Sequence, residues 1–282
     1  MNLAHITPLI LTWNEAPNLA RCLEPLTAFP RVVVLDSHST DGTAAIARAF
    51  PNVTFQQRAF DDHTSQWNHG VALADSPWIL ALDADYVLDP GFVSELASLA
   101  PVPSVVAYHA RFRYCIAGRP LRATLYPPRA VLFRKEACTY RQDGHTQLLD
   151  INGTTGLIQS FINHDDRKSL TRWIQSQDRY ALLEAEKLAT ALDASLSLQD
   201  RLRKSMVLAP FATLIYCLFA KGLLFDGWRG WFYTLQRVLA EVILAFTSST
   251  TASRKNFLEP ESFRIPHSAF RIPHSAFRIP HS

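Results

Sequence analysis

An α/β fold built on a mostly parallel, doubly wound sheet is what this sequence predicts. Three apolar runs, each stopping abruptly in polar residues, carry that prediction: Ile6–Leu11, Arg31–Asp36 and Trp78–Asp83. A short apolar run bounded by turn-forming residues fits a strand buried on both faces. A strand, a polar turn and a helix recur three times in the first hundred residues, which is the pattern of a parallel sheet with crossover helices.

The first run discharges into Thr12-Trp13-Asn14-Glu15, and residues 18–26 then read as a helix. The second runs into Ser37-His38-Ser39-Thr40-Asp41-Gly42-Thr43, a segment crowded with turn and helix-cap residues, with a helix starting near Gly42. The third ends in Asp83-Ala84-Asp85. At the carboxyl end of such a strand, side chains emerge into the crevice where open α/β sheets bind ligands. Residues two apart on an extended chain face the same way. Asp83 and Asp85 can therefore address one hard cation, and a divalent ion bridging to phosphates suits paired oxygens. The competing reading of the same pair is two acidic turn formers.

At 282 residues, with 48% hydrophobic residues, the chain is long enough for one large α/β domain and a helical addition. The formal net charge is +3. Arg264, Arg271 and Arg278 follow the last acid, Glu261, and account for all of it. No basic cluster offers a phosphate-tracking surface, so nucleic acid is not an expected partner. Cys22, Cys115, Cys138 and Cys217 lie far apart, without metal-site spacing. They read as buried thiols of a reducing compartment. With no signal-peptide pattern at Met1, the expectation is a cytoplasmic protein.

The ordered set Thr12 to Glu15, Leu35 to Thr43 and Asp83 to Asp85 resembles the family 2 glycosyltransferases, inverting enzymes of the GT-A fold. Gln66-Trp67-Asn68-His69-Gly70 fits that family's Asn-bearing helix before the metal strand. The resemblance covers roughly residues 5 to 250. Within the family the chain looks like the branch that includes lipopolysaccharide-core glucosyltransferases. The cues are Asn163-His164-Asp165-Asp166-Arg167-Lys168-Ser169-Leu170 and Phe225-Asp226-Gly227-Trp228-Arg229-Gly230.

The resemblance implies transfer of a hexosyl unit from a nucleotide-sugar donor, foremost a UDP-sugar, to a glycan or lipid-linked acceptor in cell-envelope synthesis. It places Trp13 on the base, with Thr12, Asn14, Glu15, Ser39, Gln66 and Asn68 around the donor. Asp36 is placed where a carboxylate accepts a hydrogen bond from the base, a charge-assisted contact. Asp41 reads equally as a donor ligand or as a helix cap. Asp85 and a distant His164 are implied as ligands of Mg²⁺ or Mn²⁺, with Asp83 reaching ribose or metal-bound water. Without the resemblance, His164 is an ordinary loop histidine. The branch often carries a His-Glu pair at the acceptor base. Here the stretch is Asp143-Gly144-His145-Thr146, with Thr146 where Glu is expected. The base is then Asp143 or His145, or turnover has been lost. Two other readings follow: a polyprenyl-phosphate sugar synthase, and a nucleotide-sugar-binding protein without turnover.

Residues 206–220 form an apolar run of about fifteen, short of the roughly twenty that cross a bilayer. Pro210 is expected to interrupt it. Basic flanks and the cluster Trp228, Trp231, Phe232 and Tyr233 fit an element lying on a bilayer, here at the inner face of the plasma membrane. The alternative is a hairpin packed against the transferase domain. From Phe263 the unit Phe-Arg-Ile-Pro-His-Ser-Ala repeats every seven residues. The heptanucleotide TTCCGCA, repeated and read continuously, encodes that unit, so the tail reads as a translated tandem DNA repeat that need form no core. The expected organisation is a GT-A transferase domain over 1–167, a helical, membrane-proximal appendage over 168–258 and a disordered repeat tail over 259–282.

Overall fold

A computed structural model describes residues 1–100, 102–143, 146–190 and 196–258, the side chains of 143, 146 and 251–258 excepted. The strands β1 (Ile6–Thr12), β2 (Val32–Asp36) and β3 (Val53–Gln57) alternate with the helices α1 (Leu19–Leu23) and α2 (Thr43–Arg48). Helix α3 (His63–Ala72) then leads into β4 (Trp78–Asp83). The order β3-β2-β1-β4 is parallel throughout. The helix expected over 18–26 stops as an α-helix at Leu23 and continues as a 3-10 turn over Glu24–Ala28. Pro25, which has no N–H to donate, stands at that junction.

Alternation along the strands sorts the core into two layers. Ile10, Val34 and Leu80 face one side with Leu19, Leu23 and Phe92. Leu9, Val33 and Ile79 face the other with Trp67, Val71 and Phe133. Both faces are covered, which is why β1, β2 and β4 read as near-continuous apolar runs. Beyond β4 come β5 (Tyr86–Leu88), α4 (Phe92–Ser98), β6 (Val105–Ile116), the short β7 (Arg119–Pro120) and β8 (Arg129–Arg134). The strands β9 (Cys138–Asp143) and β10 (Thr146–Ile151) form a separate antiparallel pair, followed by β11 (Thr154–His164).

Among the described residues the main sheet runs β3-β2-β1-β4-β8-β6-β11-β5, with β7 on β6. Strands β5 and β8 are antiparallel to their neighbours. Only Ala84 and Asp85 join β4 to β5, yet three strands lie between them. In a flat sheet, four steps of about 4.8 Å would part them by about 19 Å. The link from Asp83 to Tyr86 spans at most about 11 Å. The sheet therefore curls, and the curl brings the end of β11 against the Asp83–Asp85 turn.

The helices α5 (Leu170–Thr190), α6 (Leu198–Lys204), α7 (Leu208–Ile215) and α8 (Trp228–Leu258) complete the described chain. Pro210 does not interrupt α7. It lies in the first turn, where a backbone N–H has no intrahelical partner, so its absence costs nothing. Ala181, Ala185 and Leu188 of α5 pack with Leu244 of α8. Arg203 ties α6 to Glu241 at 2.8 Å and to Glu184 at 3.3 Å. A second cluster, with Tyr114, Ile116 and Leu121 against Cys217, Leu223 and Tyr233, joins these helices to the sheet.

The Phe225–Gly230 segment makes that junction. Gly227 takes a positive φ of 58°, and Asp226 accepts hydrogen bonds from the Arg122 backbone N–H and Nε, both at 3.1 Å. At Gly230 an added Cβ would lie 1.8 Å from the Leu223 carbonyl oxygen, which is backbone and cannot swing away. Gly230→Ala is expected to lower stability by about 2 kcal/mol, within the usual cost of overpacking. A urea midpoint equal to wild type would show that α8 can shift freely.

Candidate active site

Parallel register aligns the carboxyl ends of four strands. Thr12 stands opposite Asp36, Asp36 opposite Gln57, and Leu11 opposite Asp83. Asp36 is wholly buried. Its carboxylate accepts hydrogen bonds from Thr12 Oγ1 at 2.9 Å, the Ser39 N–H at 2.8 Å and Gln57 Nε2 at 3.0 Å, and also from the Ser39 hydroxyl. A base N–H reaching Asp36 would replace one of these donors. Gln57 was not expected in this pocket. It ends a half-buried edge strand, and nothing local in the sequence marks it.

The turn after β1 is held from both sides. Asn14 has a φ of 55°, donates its N–H to Ser39 Oγ at 2.6 Å and accepts the Thr40 N–H at 2.7 Å. Trp13 is 49% exposed. Arg172 of α5 donates to the Trp13 and Asn14 carbonyls at 2.9 and 2.8 Å, and its guanidinium lies 5.2 Å from the Trp13 ring. Arg179, seven residues on and hence on the same helix face, lies 5.9 Å from that ring. A stacking base would compete with these cation–π contacts or join them.

Asp41 accepts hydrogen bonds from the Thr43 N–H at 3.0 Å, the Thr43 hydroxyl and the Ala16 N–H at 3.2 Å. Those donors outweigh burial and hold its carboxyl below the usual range. Gln66 is buried and donates to Ser37 Oγ at 3.0 Å. Asn68 pairs with the Tyr140 backbone in both directions, donating at 2.8 Å and accepting at 3.1 Å. Its amide thus fixes β9 to α3, and Thr64 adds a bond to Gln142 at 2.9 Å. Asp143 ends β9 opposite Thr146. The side chain of Asp143 and all of His145 lie outside the described residues.

At the Asp83–Asp85 turn, β5 pairs with β11 so that Tyr86 faces His164. This register sets His164 Nε2 3.1 Å from Asp85 Oδ2. Asp85 and His164, 79 residues apart, are therefore neighbours. Burial alone would raise the Asp85 pKa, but the imidazole beside it wins and holds it low. Asp83 moves the other way, pushed up by burial and by the charge of Asp85. His164 is raised despite burial, because Asp85 favours its charged form. The rings of Tyr114, Tyr126 and Tyr86 enclose it edge-on, with centroids at 4.8, 5.2 and 5.4 Å.

Two features bear on a divalent ion. Asp85 Oδ1 is buried without a hydrogen-bond partner, which is costly for a carboxylate unless a cation takes it. The donor set, a carboxylate oxygen and an imidazole nitrogen, suits Mn²⁺ or Mg²⁺. Among the described residues no third His, Cys, Asp or Glu gathers with them into a metal-binding group. An ion that keeps several waters and binds substrate phosphates needs only one or two protein ligands, so the pair fits.

In the sequence Lys168 stands out only as part of the Asn163–Leu170 motif. Its Nζ donates to Glu15 Oε1 at 2.7 Å and lies 3.8 Å from Asp166. Glu15 also accepts from Asn18, and burial raises its pKa more than Lys168 lowers it. Asp165, nearly buried, pairs with Arg21 at 2.6 Å and Arg167 at 2.8 Å. The residues after His164 are thereby bolted to the turn after β1. Arg129, over the Tyr126 ring at 4.5 Å, adds positive charge near Asp83.

Residues 9–162 match the model of glycosyl transferase family 2, and the chain belongs to that family. With the curled, mostly parallel sheet, the fold is GT-A with added carboxyl-terminal helices. Two relatives from Rhizobium meliloti (strain 1021) match over short segments. The lipopolysaccharide core biosynthesis glycosyltransferase LpsC is 30% identical over 88 residues, 30% of this chain and 33% of the relative. The succinoglycan biosynthesis protein ExoU is 35% identical over 98 residues, 32% of this chain and 29% of the relative. The matched segments thus span about a third of either relative. Among solved structures, S. aureus TarS 1-349 aligns over 89% of this chain and 91% of that one, at 12% identity and a TM-score of 0.45.

Proposed function

We propose that this protein is an inverting, metal-dependent glycosyltransferase. It moves a hexosyl group from a nucleotide sugar, a UDP-sugar foremost, to a glycan or lipid-linked acceptor in cell-envelope polysaccharide or lipopolysaccharide synthesis. It works in the cytoplasm against the inner face of the plasma membrane. The observation that carries the reading is the buried Asp85–His164 pair, with its unpartnered carboxylate oxygen, beside the Thr12–Asp36 pocket. Asp85 and His164 would hold Mn²⁺ or Mg²⁺, which supplies positive charge for the departing diphosphate.

The chain's own groups do the remainder. Trp13 stacks on the base, and Asp36 exchanges one of its internal donors for a base N–H. Asn14, Glu15, Ser39, Asp41 and Gln66 keep the two turns in place around the nucleoside, while Asn68 secures the hairpin that carries Asp143 and His145. Asp83 reaches the ribose or metal-bound water. One of Asp143 and His145 takes the acceptor proton as the hydroxyl attacks opposite the leaving group.

The test is a screen of radiolabelled UDP- and GDP-sugars with membrane extract as acceptor and Mn²⁺ present. The expected result is one donor giving labelled glycolipid or glycan with inverted anomeric configuration. Absence of labelled product from every donor would refute the reading, and retention of configuration would refute its mechanism.

A further inference from the structure

Among the described residues, the face of the carboxyl-terminal helices opposite their buried side chains is apolar and exposed. Leu208, Phe211, Ile215 and Phe219 recur at helical spacing along α7 and the turn that continues it. Each is 55–66% exposed, whereas Ala209, Cys217 and Leu218 between them are buried. Along α8, Trp228, Phe232, Leu235, Leu239 and Phe246 form a second stripe, 38–71% exposed, with Tyr233 and Leu244 buried on the opposite side. The helices pack on one another, so the stripes lie on one two-helix slab. Exposed apolar stripes of this extent mark an interaction site.

Charge selects the occupant. Residues 201–250 hold six cations against two acids, Asp226 and Glu241. Both acids are neutralised within the chain, by Arg122 and Arg203. Arg203 faces Glu184 as well as Glu241, and Arg237 packs over the Trp173 and Tyr233 rings. The outward charge therefore rests on the other four, Arg201, Lys204, Lys221 and Arg229. A second copy docked on the same face would set cations against cations. The repeat tail brings three more arginines and no acid after Glu261. An anionic lipid surface is complementary, and Trp228 and Trp231 have the amphipathic rings suited to headgroup depth. Among the described residues no helix is long and apolar enough to cross a membrane.

We infer that α7 and α8 lie in the plane of an anionic bilayer, with the apolar stripes sunk to the acyl-chain boundary and the outward cations, those other than Arg203 and Arg237, at the headgroups. This deepens the membrane placement proposed above and holds whether or not sugar is transferred. The slab is rigidly joined to the site. The Tyr233 hydroxyl accepts the Leu125 N–H at 3.0 Å, and its ring lies 4.8 Å from Tyr114, which packs on His164. A docked slab therefore holds the site in a fixed attitude to the lipid surface.

Vesicle co-sedimentation of the full chain tests this, with phosphatidylcholine alone and with phosphatidylglycerol added. Binding is expected to need the anionic lipid, to weaken several-fold in high salt and to be reversed by alkaline carbonate. The triple variant Phe211→Ser, Phe219→Ser, Phe246→Ser should bind at least about tenfold more weakly. Its melting and any donor hydrolysis should match wild type. Asp85→Ala should bind vesicles normally, which separates failure of this inference from failure of the transferase reading. Retention after the carbonate wash would overturn the in-plane arrangement. A lipid-independent dimer dissolved by the triple variant would give the face to a second copy. Binding that appears only once residues 259–282 are removed would give it to the chain's own tail.

Discussion

Asp85→Ala is expected to lower the transfer rate by about 10³-fold or more while the protein still folds. Removing a single group that stabilises developing charge costs about 10²–10³ in rate, and this substitution also removes a ligand of the cation itself. The fold makes little use of the side chain. Among the described residues Oδ1 has no hydrogen-bond partner, and Oδ2 lies against His164. Losing that bond is offset by relief of repulsion with Asp83, whose pKa is raised in part by the Asp85 charge. The backbone bond from the Asp165 N–H to the Asp85 carbonyl, at 2.9 Å, remains and keeps the turn in register. Initial rates with Mn²⁺ and with EDTA, beside thermal melts of both proteins, check this. Wild-type turnover in EDTA equal to that in Mn²⁺ would remove the metal assignment. A collapsed melt would mean that Asp85 is structural.

The parts of the fold that were legible are those whose signal is local. Strands β1, β2 and β4 are buried on both faces, so their runs stand out. Strand β3, Val-Thr-Phe-Gln-Gln, is an edge with half-buried positions and no such run. The pairing of β5 with β11 was illegible because β5 has three residues and its partner begins more than sixty residues later. That pairing alone makes His164 a neighbour of Asp85, so only the family resemblance pointed to it from sequence. The roles of Gln57, Arg172 and Asn68 depend equally on contacts across the fold, and residue type does not disclose them. The apolar run over 206–220 was visible as composition. Its division into one buried and one exposed face required knowing what α8 covers.

Asp143→Asn is expected to lower kcat by about 10²–10⁴, the usual worth of general-base catalysis, with donor affinity little changed. Asp143 ends β9 at the apex of a hairpin whose stem is held to α3 by the two Asn68–Tyr140 bonds. The Asn68–Tyr140 bonds do not involve Asp143, so the loss should fall on the chemical step. The pH profile adds a second criterion. A base must be unprotonated, so the rate falls as pH drops through its pKa: near about 4 for an ordinary carboxylate, near about 6.5 for an imidazole. A profile breaking near the upper value, with Asp143→Asn unaffected and His145→Ala crippled, would move the role to His145. Thr146 can accept no proton at neutral pH, so it cannot replace the glutamate of the branch it resembles. If neither substitution slows turnover, an attacking oxygen that arrives already ionised gains as the reading. A phosphate acceptor has that property and a sugar hydroxyl does not, so that result would favour polyprenyl-phosphate glycosylation over transfer to a hydroxyl.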